Sequence, residues 1–201
     1  MPRRILLASA SPRRRALLEA LGHRVLVRPV DVDERERLGE GAEAYLARIV
    51  DDKLAAARSL RTDEPFDATL VADTAVIVPR ENADTSGAAG VILQKPAGDS
   101  DARRMLALLA GRAHLVTTRF ALAARDRVHV ESVTTRVVFR ALFDGELDAY
   151  VGSGEGRDKA GAYAIQGRAA AFIERIEGSY GAVVGLPSCE VEVAMRALLG
   201  A

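Results

Sequence analysis

The chain has 201 residues, enough to bury a substantial core in one α/β domain or two closely packed lobes. Hydrophobic residues make up 49% and charged residues 28%, which excludes wholesale disorder. The 28 basic and 28 acidic residues cancel, so the chain is a poor candidate for non-specific nucleic-acid or membrane-surface binding. A single cysteine, Cys189, excludes an intrachain disulfide and a cysteine-cluster zinc site, and it reads as a small packing residue of the terminal helix. No apolar run reaches the length of a membrane span. Arg3-Arg4 followed by Ile5 to Ala8 is too short for a secretory leader, so the expected compartment is the cytoplasm.

Ile5 to Ala8 reads as a short buried strand. Ser11 then offers an N-cap, Pro12 takes the first helical position, and Gly22 follows the last apolar residue of that helix, Leu21. Val25 to Val27 is a second short strand. From Ala42 to Leu60, Tyr45, Leu46, Ile49, Val50, Leu54 and Ala57 recur at helical spacing and predict a long amphipathic helix. Leu70 to Ala72 and Ala75 to Val78 are strand-like on either side of Asp73-Thr74, and Val91 to Leu93 is strand-like before Lys95-Pro96. The polar, Gly/Ala-rich stretch 81–90 reads as a mobile loop. Asp99 or Ser100 is expected to cap a helix that ends at Gly111. His114 to Ala124 and Val128 to Phe139 flank Arg125-Asp126-Arg127 as a hairpin. A short helix over Asp144 to Val151 leads into a Gly-rich loop, Gly152 to Gly167. A strand over Phe172 to Ile176 and a terminal helix over Val191 to Leu199 complete the series. Alternation first and clustered strands later predict an α/β domain with a mixed sheet.

The common catalytic signatures are absent: no phosphate loop of Walker type, no dinucleotide fingerprint, no zinc-protease helix and no nucleophile elbow. His23, His114 and His129 have no ligand-like spacing and read as packed or solvated. Ser9-Ala10-Ser11-Pro12-Arg13-Arg14 differs. A strand delivers a hydroxyl-rich turn to a helix N-terminus beside two arginines, an arrangement suited to an anion, although an ordinary capped helix explains it equally well. Asp31-Val32-Asp33-Glu34 clusters carboxylates as a divalent-cation site would, or as an acidic surface turn does. Asp73 lies in apolar surroundings, where a carboxylate needs a partner, unless it caps a turn between two strands. Lys95, at the end of a strand, can serve a phosphate as a point charge, although taken alone it reads as a solvated loop lysine. Asp158-Lys159-Ala160-Gly161-Ala162-Tyr163-Ala164-Ile165-Gln166-Gly167 mixes charge, amide and flexible backbone, like a ligand loop or a plain Gly-rich surface loop.

Taken together and in this order, these islands, with Gly178-Ser179-Tyr180 and Val184-Gly185-Leu186-Pro187, resemble the Maf family of nucleotide pyrophosphatases from Ile5 to about Leu199. The resemblance implies a single Maf-like domain over residues 1–201, with a two-lobed, Maf/ITPase-like α/β fold, a long mixed sheet and a nucleotide cleft between the lobes. A homodimer is implied as well. It also implies hydrolysis of a nucleoside triphosphate to monophosphate and pyrophosphate with Mg²⁺ or Mn²⁺. By motif, Asp73 corresponds to the catalytic carboxylate. Ser9, Arg13, Arg14, Lys53 and Lys95 correspond to the phosphate end, with Glu34 and Asp73 at the metal. Arg13, Thr74, Lys159 and Gln166 correspond to positions that set substrate preference. The loop ending in Ile165-Gln166-Gly167 is like that of the branch acting on dTTP and UTP. A purine or 7-methyl-GTP pyrophosphatase is the alternative within the class, and a nucleotide-binding regulator of cell division the alternative outside it. Gln94 departs from the glycine that often precedes Lys-Pro, and the 81–90 loop is longer than usual.

Overall fold

A computed structural model describes residues 1–79 and 90–200. The stretch 81–90 read as a mobile loop lies outside the described residues except for Gly90, which opens a strand.

The elements are β1 (Arg4–Leu7), α1 (Pro12–Ala20), β2 (Arg24–Val27), α2 (Ala42–Arg58), β3 (Ala68–Pro79), β4 (Gly90–Leu93) and α3 (Asp99–Leu109), followed by β5 (Ala113–Ala124), β6 (Arg127–Phe139), α4 (Glu146–Ser153), β7 (Ile173–Glu177), α5 (Tyr180–Val184) and α6 (Ser188–Leu199). Seven strands form one mixed sheet in the order β2-β1-β3-β5-β6-β7, with β4 also paired to β3. β2, β1 and β3 run parallel, and the remaining pairs are antiparallel.

β3 is the spine. One of its edges pairs with β5 continuously, from Thr69 opposite Ala123 to Ile77 opposite Leu115. The other edge is shared: β1 accompanies it only as far as Leu70, and β4 only from Val76 onward. Between them, among the described residues, no strand pairs with 71–75 on that side. The chain leaves β1 and β4 at this gap, so Ser9 to Arg14 and Gln94-Lys95 both emerge beside Asp73 and Thr74. The sequence pattern suggests two strands about a polar break at Asp73-Thr74, but β3 runs through without interruption. Pairing of Asp73 with Arg119 and of Thr74 with Thr118 holds both residues in extended backbone.

Strand alternation sends odd and even residues of β3 to opposite faces. Val71, Ala75 and Ile77 meet the apolar stripe of α2, in which Tyr45, Leu46, Ile49, Val50 and Leu54 are buried. Leu70 and Ala72 pack with Leu18 of α1 and with Val191, Ala194 and Met195 of α6. Val76 joins the third cluster, under α3 and α4. Asp73 therefore faces α2, while Thr74 faces α1 and α5. Complete burial of an aliphatic side chain contributes roughly 1.5–3 kcal/mol, so these stripes fix the register of every element around the gap.

Three local expectations are corrected. α3 is capped by Gly98 with no side-chain cap; Asp101 reaches back to accept the Ala97 N–H at 3.0 Å instead. α5, a five-residue helix capped by Ser179, stands where no helix is expected, being too short to show periodicity. Cys189 is exposed, because the buried stripe of α6 passes through Val191, Ala194 and Met195. Among the described residues no helix is long and apolar enough to cross a membrane.

Candidate active site

The turn after β1 is built from local side chains. Ser11 accepts the Arg14 N–H at 3.4 Å as N-cap of α1, and Ser9 Oγ accepts the Ser11 N–H at 3.2 Å. Pro12 occupies the first turn, where its missing N–H costs nothing. Arg14 then points inward and is 8% exposed. Its Nη1 donates to Ser9 Oγ at 3.1 Å, its Nη2 to Thr74 Oγ1 at 3.2 Å and its Nε to the Gly185 carbonyl at 2.8 Å. Among the described residues, three of the five N–H donors of this guanidinium are thus engaged by the protein, which leaves two for a ligand. Burial pulls the Arg14 pKa down while the charge of Asp73 opposes that shift, and a guanidinium stays cationic regardless. Arg13 sits beside it, its Nε donating to the Val184 carbonyl at 3.3 Å.

On the α2 side, Lys53 is buried and reaches two carboxylates at once. Its Nζ lies 2.7 Å from Asp73 Oδ1 and 2.6 Å from Glu34 Oε1. Lys95, from the loop after β4, approaches the other oxygen of Glu34 at 3.6 Å. Partial burial pushes the Glu34 carboxyl up, but the hydrogen bond and charge of Lys53, helped by Lys95 and Arg14, outweigh it and hold the group below its ordinary value. The backbone at Glu34 is pinned in turn: its carbonyl accepts from Tyr45 Oη at 3.1 Å and Gln94 Nε2 at 3.5 Å. The acidic run 31–34 does not act as a unit. Asp33 is exposed and bound by Arg35 through Nε and Nη2, both at 2.8 Å, and Asp31 is exposed; only Glu34 turns inward.

The third wall is the Gly-rich loop. Gly161 has φ +70°, and a Cβ there would meet the Val76 side chain at 2.9 Å, so glycine is required for the loop to lie against β3. Its N–H donates to the Gln94 carbonyl at 3.1 Å, which links this loop to the Lys95 segment. Tyr163 anchors the loop from below, its hydroxyl 2.7 Å from Nε2 of the buried His114. Lys159 pairs with Asp158, and Gln166 is exposed at the rim.

These walls enclose a cavity of about 460 Å³. Every residue to which the resemblance assigns a site role lines it: Ser9, Arg13 and Arg14 on one side, Glu34, Lys53, Asp73 and Lys95 on another, and Thr74, Lys159 and Gln166 between and above them; Asp31 and Asp33 of the acidic run do not. Tyr45, read only as a core position of α2, also lines it. Arg13, Arg14, Lys53, Lys95 and Lys159 outnumber Glu34, Asp73 and Asp158, so the pocket favours a polyanion. Asp73 and Glu34 supply hard oxygen donors facing the same space. Mg²⁺ needs one or two protein carboxylates, with phosphate oxygens and water completing its shell, and the donor set fits that demand. Among the described residues no group of three or more His, Cys, Asp or Glu side chains gathers as an all-protein metal cage.

The chain is similar to known proteins over nearly its whole length. The family model described as Maf-like protein matches residues 4–198. The dTTP/UTP pyrophosphatase of Hahella chejuensis is 42% identical over 194 residues, covering 96% of this chain and 92% of the relative. That of Anaeromyxobacter dehalogenans strain 2CP-1 is 44% identical over 200 residues, covering 98% and 94%. That of Aliivibrio fischeri is 38% identical over 201 residues, covering 99% and 100%. With nearly the whole chain matched by the family model and by each of these relatives, the chain belongs to the Maf family.

Proposed function

We propose that the chain hydrolyses dTTP and UTP to the monophosphate and pyrophosphate. The observation that carries this reading is the Asp73–Lys53–Glu34 cluster facing Arg13 and Arg14 across one cavity. The names of the relatives supply the substrate class. Phosphoryl transfer asks a protein for positioning and charge neutralisation more than for covalent chemistry, and this pocket offers both.

In the proposed reaction Asp73 accepts a proton from water, whose oxygen bonds to the α-phosphorus. The bond from that phosphorus to the α–β bridging oxygen breaks, and pyrophosphate leaves. Lys53 holds the Asp73 carboxylate in place. Arg13, Arg14, Ser9 and Lys95 bind the phosphate chain and take up the charge that develops on the leaving group. Glu34 and Asp73 would hold Mg²⁺ or Mn²⁺, which when bound neutralises phosphate oxygens. Gln166 at the rim, with Thr74, Arg13 and Lys159, reads the nucleoside.

The proposed unit is one domain of two lobes about this pocket, a division supported by the separate apolar clusters under α1 and α6 and under α3 and α4. A cytoplasmic homodimer belongs to the same reading. The deciding experiment is a panel of nucleoside triphosphates with Mg²⁺ or Mn²⁺ and separate detection of pyrophosphate and phosphate. Equal amounts of monophosphate and pyrophosphate from UTP and dTTP are expected. Stepwise phosphate release would overturn the pyrophosphatase reading, preference for guanine nucleotides would overturn the pyrimidine assignment, and binding without turnover would point to a regulator.

A further inference from the structure

Arg14 is held by a row of hydroxyls that runs through the sheet into α5. Arg14 Nη2 donates to Thr74 Oγ1 at 3.2 Å, Thr74 Oγ1 lies 2.8 Å from Thr118 Oγ1, and Thr118 Oγ1 lies 2.7 Å from the Ala182 carbonyl. Thr118 is directly opposite Thr74 in the β3–β5 register and is fully buried. The ends of the row fix its polarity. A guanidinium only donates and a carbonyl only accepts. Thr118 must therefore give its hydrogen to Ala182, Thr74 must give its hydrogen to Thr118, and Thr74 must offer a lone pair to Arg14. A hydroxyl turned the other way would set two oxygens face to face at 2.7 or 2.8 Å with no hydrogen between them.

The same short helix grips Arg14 from the other side. Gly185, with φ +118°, ends α5 in a left-handed turn that favours glycine and presents its carbonyl to Arg14 Nε at 2.8 Å. The Thr118–Ala182 bond, together with the two bonds between Thr135 and the N-cap Ser179, ties that helix to the sheet, so Thr118 contributes to both grips on the guanidinium.

We propose that Thr118 is a positioning residue for phosphate binding: it aims Arg14, through Thr74 and through α5, so that the two unengaged N–H groups of the guanidinium meet the phosphate chain. A second consequence follows from the polarity. Thr74 has its hydrogen committed inward and presents only an acceptor to the pocket, so a ligand group beside it must be a donor. The inference rests on the reading of Arg14 as a phosphate ligand.

The test is calorimetric binding of inorganic pyrophosphate with Mg²⁺ to wild type, T118V, T118S, R14K and R14K/T118V. T118V keeps the shape and removes the hydroxyl. It should bind about tenfold more weakly, the worth of one displaced charge-assisted hydrogen bond. T118S restores the hydroxyl and should bind within about twofold of wild type, a difference expected of a change outside the hydrogen-bond row. In the R14K background the fork is gone, so adding T118V should change affinity by less than about twofold. Thermal denaturation identifies folded variants, and T118A replaces T118V if the latter does not fold. Wild-type affinity in T118V, equal loss in T118S, or full additivity in the double variant would each overturn the positioning role. Wild-type affinity in R14K would instead remove the underlying assignment of Arg14 to the phosphates.

Discussion

Replacing Lys53 by Met probes the centre of the site. The side chain is 8% exposed and its ammonium contacts Asp73 at 2.7 Å and Glu34 at 2.6 Å. The two contacted oxygens are therefore at most about 5 Å apart, a separation at which unit charges repel by roughly 3 kcal/mol at an effective dielectric of about 20. Removing one partner of a buried pair costs about 3–5 kcal/mol, because the remaining charge loses its compensation. Asp73, 13% exposed, feels that loss most, whereas Glu34, 41% exposed, can turn toward water and be screened. A net loss of about 2–3 kcal/mol is the result, which for a chain of this length lowers Tm by roughly 5–10 °C. Thermal unfolding of K53M in EDTA measures it. Millimolar Mg²⁺ should restore part of the loss in K53M and do less for wild type, since a cation bound to the folded state replaces the missing ammonium. A fall below about 2 °C in EDTA would mean that the carboxylates need no counter-charge and that Lys53 is not their organiser.

Asp73→Asn should lower kcat by about a hundredfold or more while nucleotide binding survives, because the cations that hold the phosphates remain; steady-state kinetics beside calorimetry decides this, and near-normal turnover would place the base elsewhere. Gln166→Glu should lower kcat/KM on UTP and dTTP more than on GTP, since a uracil or thymine carbonyl would then face an acceptor, an unsatisfied contact worth about 1–3 kcal/mol when desolvated. An equal fall on all three nucleotides would show that Gln166 does not read the base. For His114, burial lowers the pKa from 6.5 to about 3, so between those values the unfolded chain binds the extra proton and stability declines as the pH falls. By pH 5.5 the loss is about 1.4 kcal/mol, and H114Q should escape it; parallel stability–pH curves for the two proteins between pH 7.5 and 5.5 would refute the buried neutral imidazole.

What could be read along the chain is what the chain decides locally. Ser11 and Pro12 start α1 through contacts within one turn, the stripe from Tyr45 to Ala57 needs only helical spacing, and the hairpin at Arg125-Asp126 needs only two strands and a turn. The site residues were legible for a different reason. Ser9, Arg13, Arg14, Asp73, Thr74, Lys95, Lys159 and Gln166 are polar groups set beside apolar elements, where β1, β3, β4 or the Gly-rich loop reaches the gap on the spine strand, whereas Lys53, in the middle of α2, was carried by the family resemblance alone. Their partnerships were not legible, because each joins residues well apart along the chain: Lys53 of α2 finds Asp73 of β3, 20 residues on, and Arg14 finds Gly185, 171 residues on. Asp33 shows the converse. Composition groups it with Glu34 as a cation ligand, yet Arg35, two residues away, captures it first, and strand-like alternation then leaves Glu34 alone to face inward.

Thr118 marks the limit of local reading most clearly. In β5 it is one of two adjacent threonines, Thr117-Thr118, and nothing in their neighbours separates them. Alternation sends Thr117 to the face where it meets Thr134 at 2.9 Å, and Thr118 to the face where Thr74 and Ala182 await it. Which threonine serves the site is set by the β3–β5 register, and a slip of one residue would exchange their roles. That register is fixed by the apolar residues on either side of β3, from Val71 and Ile77 toward α2 to Leu70 and Ala72 toward α1 and α6. The packing of the core and the aim of Arg14 are thus consequences of one strand pairing.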